Sequence, residues 1–423
     1  MRCSSPPRAT RRALQTLAVL LGLLALCGPA IALDPLPVDD HRELVEKSHV
    51  HLDRTFFLAN DSASGNEKIV VVDPPQFGHL TKILDNGFVY TTDAPFLGVD
   101  SFTYRLVSGS TTSPTARVTL RFVARFHPLA GRWPTRTCNA QGCPDSCTDG
   151  EGSEIGFYDR REFTFSLCDW LGGPHLTACK LLQVPADLRP TEGGMPLMLD
   201  WDGDGWDEPA LHDPSTGTVH IFSRTPVLCP VGEKKVCLEP VAHLDLATVL
   251  GAAAHHVTPF ADNASETTTS SGASLAAYDS IAGLVYLGLG ADGLTANSIS
   301  GTPFDHGAGA LAVRGAWSEP GRETLGLWSP TRRSFAYQAD DTGTGVIEVE
   351  LAVSDEYVAM VWPLAVPTNR CASTRLGLWS PCHGKLLFYT LEDPPGGRAS
   401  VYVNVPTDPA GYPAPWPSCD AFE

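Results

Sequence analysis

The sequence predicts an all-β chain in two parts, a β-sandwich followed by a β-propeller built from repeated units. Three observations point there. Turn formers are abundant, with 39 Gly and 35 Pro among 423 residues, which favours short strands over long helices. Between His49 and Val123, short β-branched and aromatic runs alternate at period two, the mark of a half-buried antiparallel sheet pair. Beyond that stretch one short pattern recurs at spacings of 54, 66, 50 and 51 residues, room for a four-stranded propeller blade with its loops. Hydrophobic residues make up 43% of the chain, enough to fill real cores and to exclude an intrinsically disordered protein.

The first 32 residues read as a secretory signal peptide. Arg2, Arg8, Arg11 and Arg12 lead, an apolar run covers Leu17 to Cys27, and Ala30-Ile31-Ala32 offers the small residues of a cleavage site. The run is shorter than the about 20 residues that span a bilayer. No second apolar run of that kind follows, so the mature chain is expected to begin near Leu33 and to carry no membrane span. Thr10-Arg11-Arg12 matches a twin-arginine signal only loosely, which favours the general secretory route. Residues 33–48 read as a linker. The formal charge of −18 becomes −22 once the four arginines leave. Such an acidic chain is no nucleic-acid binder. The expected location is extracellular or on the cell surface, with the periplasm as the alternative.

Cysteine usage agrees with export. Cys3 and Cys27 belong to the signal segment. Cys138, Cys143, Cys147, Cys168, Cys179, Cys229, Cys237, Cys371, Cys382 and Cys419 remain. An even count in an exported chain reads as disulfides, of undetermined pairing. Residues 33–137 hold none, so the first domain is a cysteine-free unit.

That domain is placed at 49–126. Lys68–Val72, Phe77–Leu80, Phe88–Tyr90, Phe102–Leu106 and Ala116–Phe122 are strand candidates, and Asp85-Asn86-Gly87 reads as a hairpin turn. The runs Leu58-Ala59-Asn60-Asp61, Pro74-Pro75-x-Phe77-Gly78, Phe88-x-Tyr90-Thr91 and Gly98-x-Asp100-Ser101-Phe102-Thr103-Tyr104 resemble the bacterial cadherin-like, immunoglobulin-type repeat of surface proteins. The resemblance implies an immunoglobulin-like β-sandwich that acts as a rigid spacer or display module. Phe102 and Tyr104 would fill its core and Asp100 would cap a turn; a ligand role for Asp61 or Asp100 is the weaker reading.

Residues 127–423 carry the repeat. An aromatic or His precedes Asp or Ser in Tyr158-Asp159, His212-Asp213, Tyr278-Asp279, Trp328-Ser329 and Trp379-Ser380. Seven and nine residues past the aromatic comes an alternating pair, Val219/Ile221, Val285/Leu287, Phe335/Tyr337 and Leu386/Phe388. In the first copy the pair is expected sooner, at Phe163/Phe165. Five units would close a five-bladed ring. One copy, Asp200-Trp201-Asp202-Gly203-Asp204-Gly205-Trp206-Asp207-Glu208-Pro209, resembles the FG-GAP/VCBS repeat of integrin-like propellers. Trp317, Trp133 and Trp362 look like remnants of the same loop.

The acid ladder has a chemical reason. Ca²⁺ takes six to eight oxygens at about 2.3–2.6 Å, and acids at alternate positions of a tight loop can converge on one ion. Asp200, Asp202, Asp204 and Glu208 would ligate through side chains and Trp206 through its carbonyl. The metal is expected to be Ca²⁺ in a structural role. No His-Glu-x-x-His, Gly-x-Ser-x-Gly or phosphate loop occurs, and no catalytic residue is assigned. His255-His256, after Ala252–Ala254, reads as a loop or helix end. The function expected is non-enzymatic binding or adhesion to an unidentified protein or glycan. The alternative is a carbohydrate-active protein, a lectin or a hydrolase; Tyr158, Tyr278, Trp328 and Trp379 are then either exposed platforms or core residues.

Overall fold

The computed structural model describes residues 35–45, 48–63, 65–93, 98–131, 133, 154–169, 177–191, 194–204, 206–229, 236–262, 274–289, 297–299, 306, 310–319, 322–329, 332–338, 345–351, 362–367, 374–380, 385–389, 391 and 402–404. The stretch read as a signal peptide and Cys138, Cys143, Cys147, Cys371, Cys382 and Cys419 lie outside them. The chain is all-β, as expected.

The sandwich has two sheets. One runs β1 (Asp40–Val45), β7 (Thr111–Val123), β6 (Gly98–Ser108) and β3 (Lys68–Val71); the other runs β2 (His49–Leu52), β5 (Phe88–Thr92) and β4 (Gly78–Lys82). Alternate residues face inward, and Tyr104, Leu106, Val118 and Leu120 are buried between the sheets. A short helix, Arg54–Leu58, is capped by Asp53, whose carboxylate accepts the Phe56 N–H at 2.8 Å. It drops Phe57 into the core, edge-on to Phe88, Phe102 and Tyr104 at centroid distances of 5.9, 6.3 and 5.1 Å. Full burial of such a side chain contributes about 1.5–3 kcal/mol.

Two expectations change here. The stretch read as a linker supplies β1, which pairs in parallel with β7 from Asp40↔Val118 to Val45↔Val123. Its short pattern carries charges at 40–43, and period-two reading passes over it. The Asn-Gly turn does join β4 to β5, but the left-handed residue is Asp85, at φ 59°, while Gly87 is extended.

The described residues between 126 and 404 form five four-stranded antiparallel meanders. Blade one is β8 (Phe126–Gly131), β9 (Glu154–Asp159), β10 (Thr164–Asp169) and β11 (Thr177–Gln183). Blade two is β12 (Met195–Leu199), β13 (Glu208–Asp213), β14 (Thr218–Leu228) and β15 (Val236–Asp245). Blade three is β16 (Thr258–Asp262), β17 (Ser274–Asp279), β18 (Leu284–Leu289) and β19 (Asn297–Ile299). Blade four is β20 (Leu311–Glu319), β21 (Arg322–Ser329), β22 (Ser334–Gln338) and β23 (Val346–Glu350). Blade five is β24 (Trp362–Pro367), β25 (Thr374–Ser380), β26 (Lys385–Tyr389) and β27 (Tyr402–Asn404). The first strands neighbour one another around a ring, β8, β12, β16, β20, β24 and back to β8. The Trp379 indole N–H closes it by donating to the Phe126 carbonyl at 3.2 Å. Outer strands of the first two blades touch through one parallel pair, Gln183↔Cys237, which fuses them into an eight-stranded sheet. Disulfides Cys168–Cys179 and Cys229–Cys237 staple blades one and two.

The repeated dipeptide is the end of each second strand and the start of its turn. Tyr158, His212, Tyr278, Trp328 and Trp379 are buried. The next residue caps the turn: Asp159 accepts the Arg161 N–H at 2.9 Å, Asp213 the Ser215 N–H at 2.8 Å, Asp279 the Ile281 and Ala282 N–H groups at 2.9 and 3.0 Å, and Ser329 the Arg332 N–H at 3.3 Å. Five residues past the aromatic, Phe163, Gly217, Gly283 and Arg333 all have positive φ. The first copy therefore keeps the common spacing. Phe163 is its left-handed turn residue, and the inward pair is Phe165/Leu167, with Phe165 opposite Tyr158 as Val219 is opposite His212.

Candidate metal centre

The acid ladder is the hairpin between β12 and β13, closed at its base by the pair Leu199↔Glu208. Gly203 sits at φ 76°, where a Cβ would strain the turn. The acids order the loop themselves. Asp202 Oδ1 accepts the Asp204 N–H at 3.1 Å, and Asp204 Oδ1 accepts the Trp206 N–H at 3.0 Å. Glu208, which is buried, accepts the Trp201 N–H at 2.8 Å. Trp201 anchors the hairpin on the apolar cluster between blades two and three.

Carboxylate oxygens of Asp200, Asp202 and Glu208 lie within 4.8 Å of one another. That grouping of hard oxygen donors suits Ca²⁺. Asp204 is turned elsewhere. Its Oδ2 takes a bond from Arg224 Nη2. The same guanidinium places Nε 2.5 Å from Glu208 Oε1 and Nη2 3.8 Å from Asp202 Oδ2. Trp206 enters the geometry through its N–H.

Electrostatics follow from this packing. Burial pushes Glu208 up to about 7, against the Trp201 N–H and Arg224, which pull it down. Burial pulls the Arg224 guanidinium down, yet its bonds to Asp204 and Glu208 outweigh burial and hold it above its ordinary value. Arg224 therefore stays a cation and neutralises part of the ladder. Sequence reading missed it. Arg224 lies where β14 slips register against β15, between Ser223 and Val227, and no spacing rule ties that stretch to the loop.

Two of the three remnant tryptophans stand where Trp201 does. Trp133 follows the β8–β9 pair His127↔Tyr158 by six residues, Trp201 follows Met195↔His212 by six, and Trp317 follows Leu311↔Trp328 by six. Trp133 and Trp317 are buried. Trp362 is out of this register, because it opens β24 and pairs with Trp379. A small residue two before each aromatic makes room. A Cβ on Gly156 would meet the Ser166 carbonyl at 2.7 Å and the Trp133 ring at 3.3 Å, and one on Gly326 would run into the Phe335 ring and come 3.0 Å from Trp317 Nε1.

Elsewhere, Asp100 is a structural carboxylate. It accepts the Gln76, Phe77 and Ser101 N–H groups at 2.9, 2.9 and 2.8 Å and the Tyr90 hydroxyl at 2.7 Å. Asp61 accepts the Val38 N–H at 2.6 Å and the Tyr104 hydroxyl at 3.2 Å. Tyr158, Tyr278, Trp328 and Trp379 are at most 1% exposed, so they fill blades and offer no platform to a ligand. His255 and His256 end a short 3₁₀ turn, Gly251–His255.

The fold thus defines a two-module all-β protein, an Ig-like sandwich leading into a five-bladed ring. Residues 33–121 match the family model of a bacterial Ig domain, which suggests a protein of the surface or adhesion type. No curated protein matches the chain. No helix among the described residues is long and apolar enough to cross a membrane.

Proposed function

We propose that this chain is a secreted or cell-surface binding protein without catalytic activity, in which Ca²⁺ stabilises an FG-GAP-like propeller. The observation that carries this reading is the β12–β13 hairpin, with three carboxylates converging within 4.8 Å at the rim of a five-bladed ring. Asp200, Asp202 and Glu208 would hold the ion, and Asp204 and the Trp206 carbonyl would complete the set once Arg224 gives up its bonds. The ion would supply charge neutralisation and order, with no chemistry of its own. The bacterial Ig domain supports a surface role, and the two disulfides suit an oxidising compartment.

The test is to array the mature protein against glycans and extracellular proteins in calcium and in chelator, alongside a panel of glycoside substrates. Calcium-dependent binding without turnover supports the reading. Hydrolysis of any glycoside overturns it.

A further inference from the structure

The sandwich sits on the end of the propeller that carries the aromatic-Asp turns, and a buried polar joint holds it there. Sandwich β1 and β7 contribute His41, Glu43 and Arg121. Arg121 Nη2 donates to the Val257 carbonyl at 2.8 Å and to the His256 carbonyl. Glu43 faces Arg160, with Oε1 3.7 Å from Nε, and both side chains are 1% exposed. Arg160 also donates to the Gly194 carbonyl at 3.0 Å and to the Ala124 carbonyl at 2.7 Å. It thereby ties the first two blades to the segment joining sandwich and propeller. The His41 ring stacks on His255 at 4.7 Å. Val45 and Val123 add apolar contact.

The propeller side is crowded with titratable groups. His256 pairs with Asp279 at 3.2 Å. His212 donates from Nε2 to the Ala254 carbonyl at 2.9 Å, and His127 accepts from Arg160 at 3.1 Å. Asp213 also acts on His41. A proton added to this region joins two buried guanidinium groups; among the described residues Glu43, Asp159, Asp213 and Asp279 are the carboxylates nearby that oppose it.

We propose that the joint is an acid-released latch, which holds the sandwich on the propeller near neutral pH and frees it, still folded, as the medium turns acid. Burial lowers His41 to about 4, helped by His255, Arg121 and His256. A docked value below the free value of 6.5 means that docking is fully supported above about pH 6.5 and loses support as pH falls through about 4. Neither described disulfide crosses the joint, so release needs no bond broken.

Small-angle scattering and circular dichroism of the mature protein, followed from about pH 7.5 to about pH 4, test this. The radius of gyration should rise while the β-sheet signal persists. His41→Phe keeps a stacked ring without a titrating nitrogen and should move release down by about half a pH unit or more. If His41→Phe fails to fold, His41→Gln and the NMR titration of His41 in the unchanged protein give the same readout. A constant radius, sheet loss coincident with expansion, or release of the His41 variants at the unchanged pH would each overturn the latch.

Discussion

Arg224 Nε lies 2.5 Å from Glu208 Oε1, so an arginine from β14 stands among the acids of the β12–β13 hairpin. The guanidinium does in part what a metal would do: it offsets carboxylates that repel one another. Cation and arginine are therefore expected to compete. Arg224→Gln should destabilise the calcium-free protein by about 1–3 kcal/mol, since it leaves the buried Glu208 without its charged partner. The same change should enlarge the thermal shift that calcium produces. Scanning calorimetry in chelator and in calcium checks both signs; a smaller calcium shift in Arg224→Gln would show that arginine and ion do not compete.

The turn caps predict a graded series. Asp213→Ala removes the acceptor for the Ser215 N–H and should cost about 1 kcal/mol in chemical denaturation. Asp213→Ser should cost less, because Ser329 performs the same task in blade four.

Gly217 is at φ 70°, and a Cβ there would meet Ala254 and Ala247 Cβ atoms at 3.0 and 3.1 Å. Gly217→Ala should cost about 1–3 kcal/mol by strain and crowding together. Arg333→Gly, at the equivalent positive-φ position, should be far milder. Equal losses in the two variants, measured by urea midpoint, would contradict the shared turn geometry.

Asp40 gives the sandwich a pH dependence opposite to that of the joint. Burial pushes its carboxyl up to about 8, against the Tyr104 hydrogen bond and with help from Asp61. The folded value lies above the ordinary carboxyl value of 3.8. Its support is therefore complete below about pH 4 and is lost as pH rises through about 8, at no more than about 1.4 kcal/mol per pH unit. Asp40→Asn should flatten the stability of the sandwich between about pH 5 and 8, read from its own calorimetric transition. An unchanged slope would remove Asp40 as the cause.

Much of the fold was legible because it is written in local periodicity. The strands at 68–72, 77–80, 88–90, 102–106 and 116–122 alternate cleanly, and the aromatic or His followed by Asp or Ser marks the end of the second strand in each blade. Two further elements gave weaker local signals. β1 is short and charged, and its place is set by parallel pairing with a strand far along the chain. The first-copy pair was misplaced by two residues because Phe163, an aromatic in a left-handed turn, imitates a core position. At the site, the acid ladder is contiguous and visible. Arg224 is brought in by sheet pairing and a register slip, and the joint arises from residues as distant as Arg121 and Val257. Such non-local electrostatics leave no pattern in one sequence.

The most direct test of the central claim is the melting of the mature protein in calcium and in chelator, with Asp202→Ala/Asp204→Ala beside it. A ligand bound only by the folded state stabilises by RT ln(1 + [L]/Kd), about 2.7 kcal/mol at roughly 100-fold excess over Kd. The propeller transition of the unchanged protein should rise in calcium, the double variant should lose that rise, and the sandwich transition should stay where it is in both. Identical melting of the unchanged protein in calcium and chelator would mean that Arg224 alone completes the loop and that no calcium site exists there.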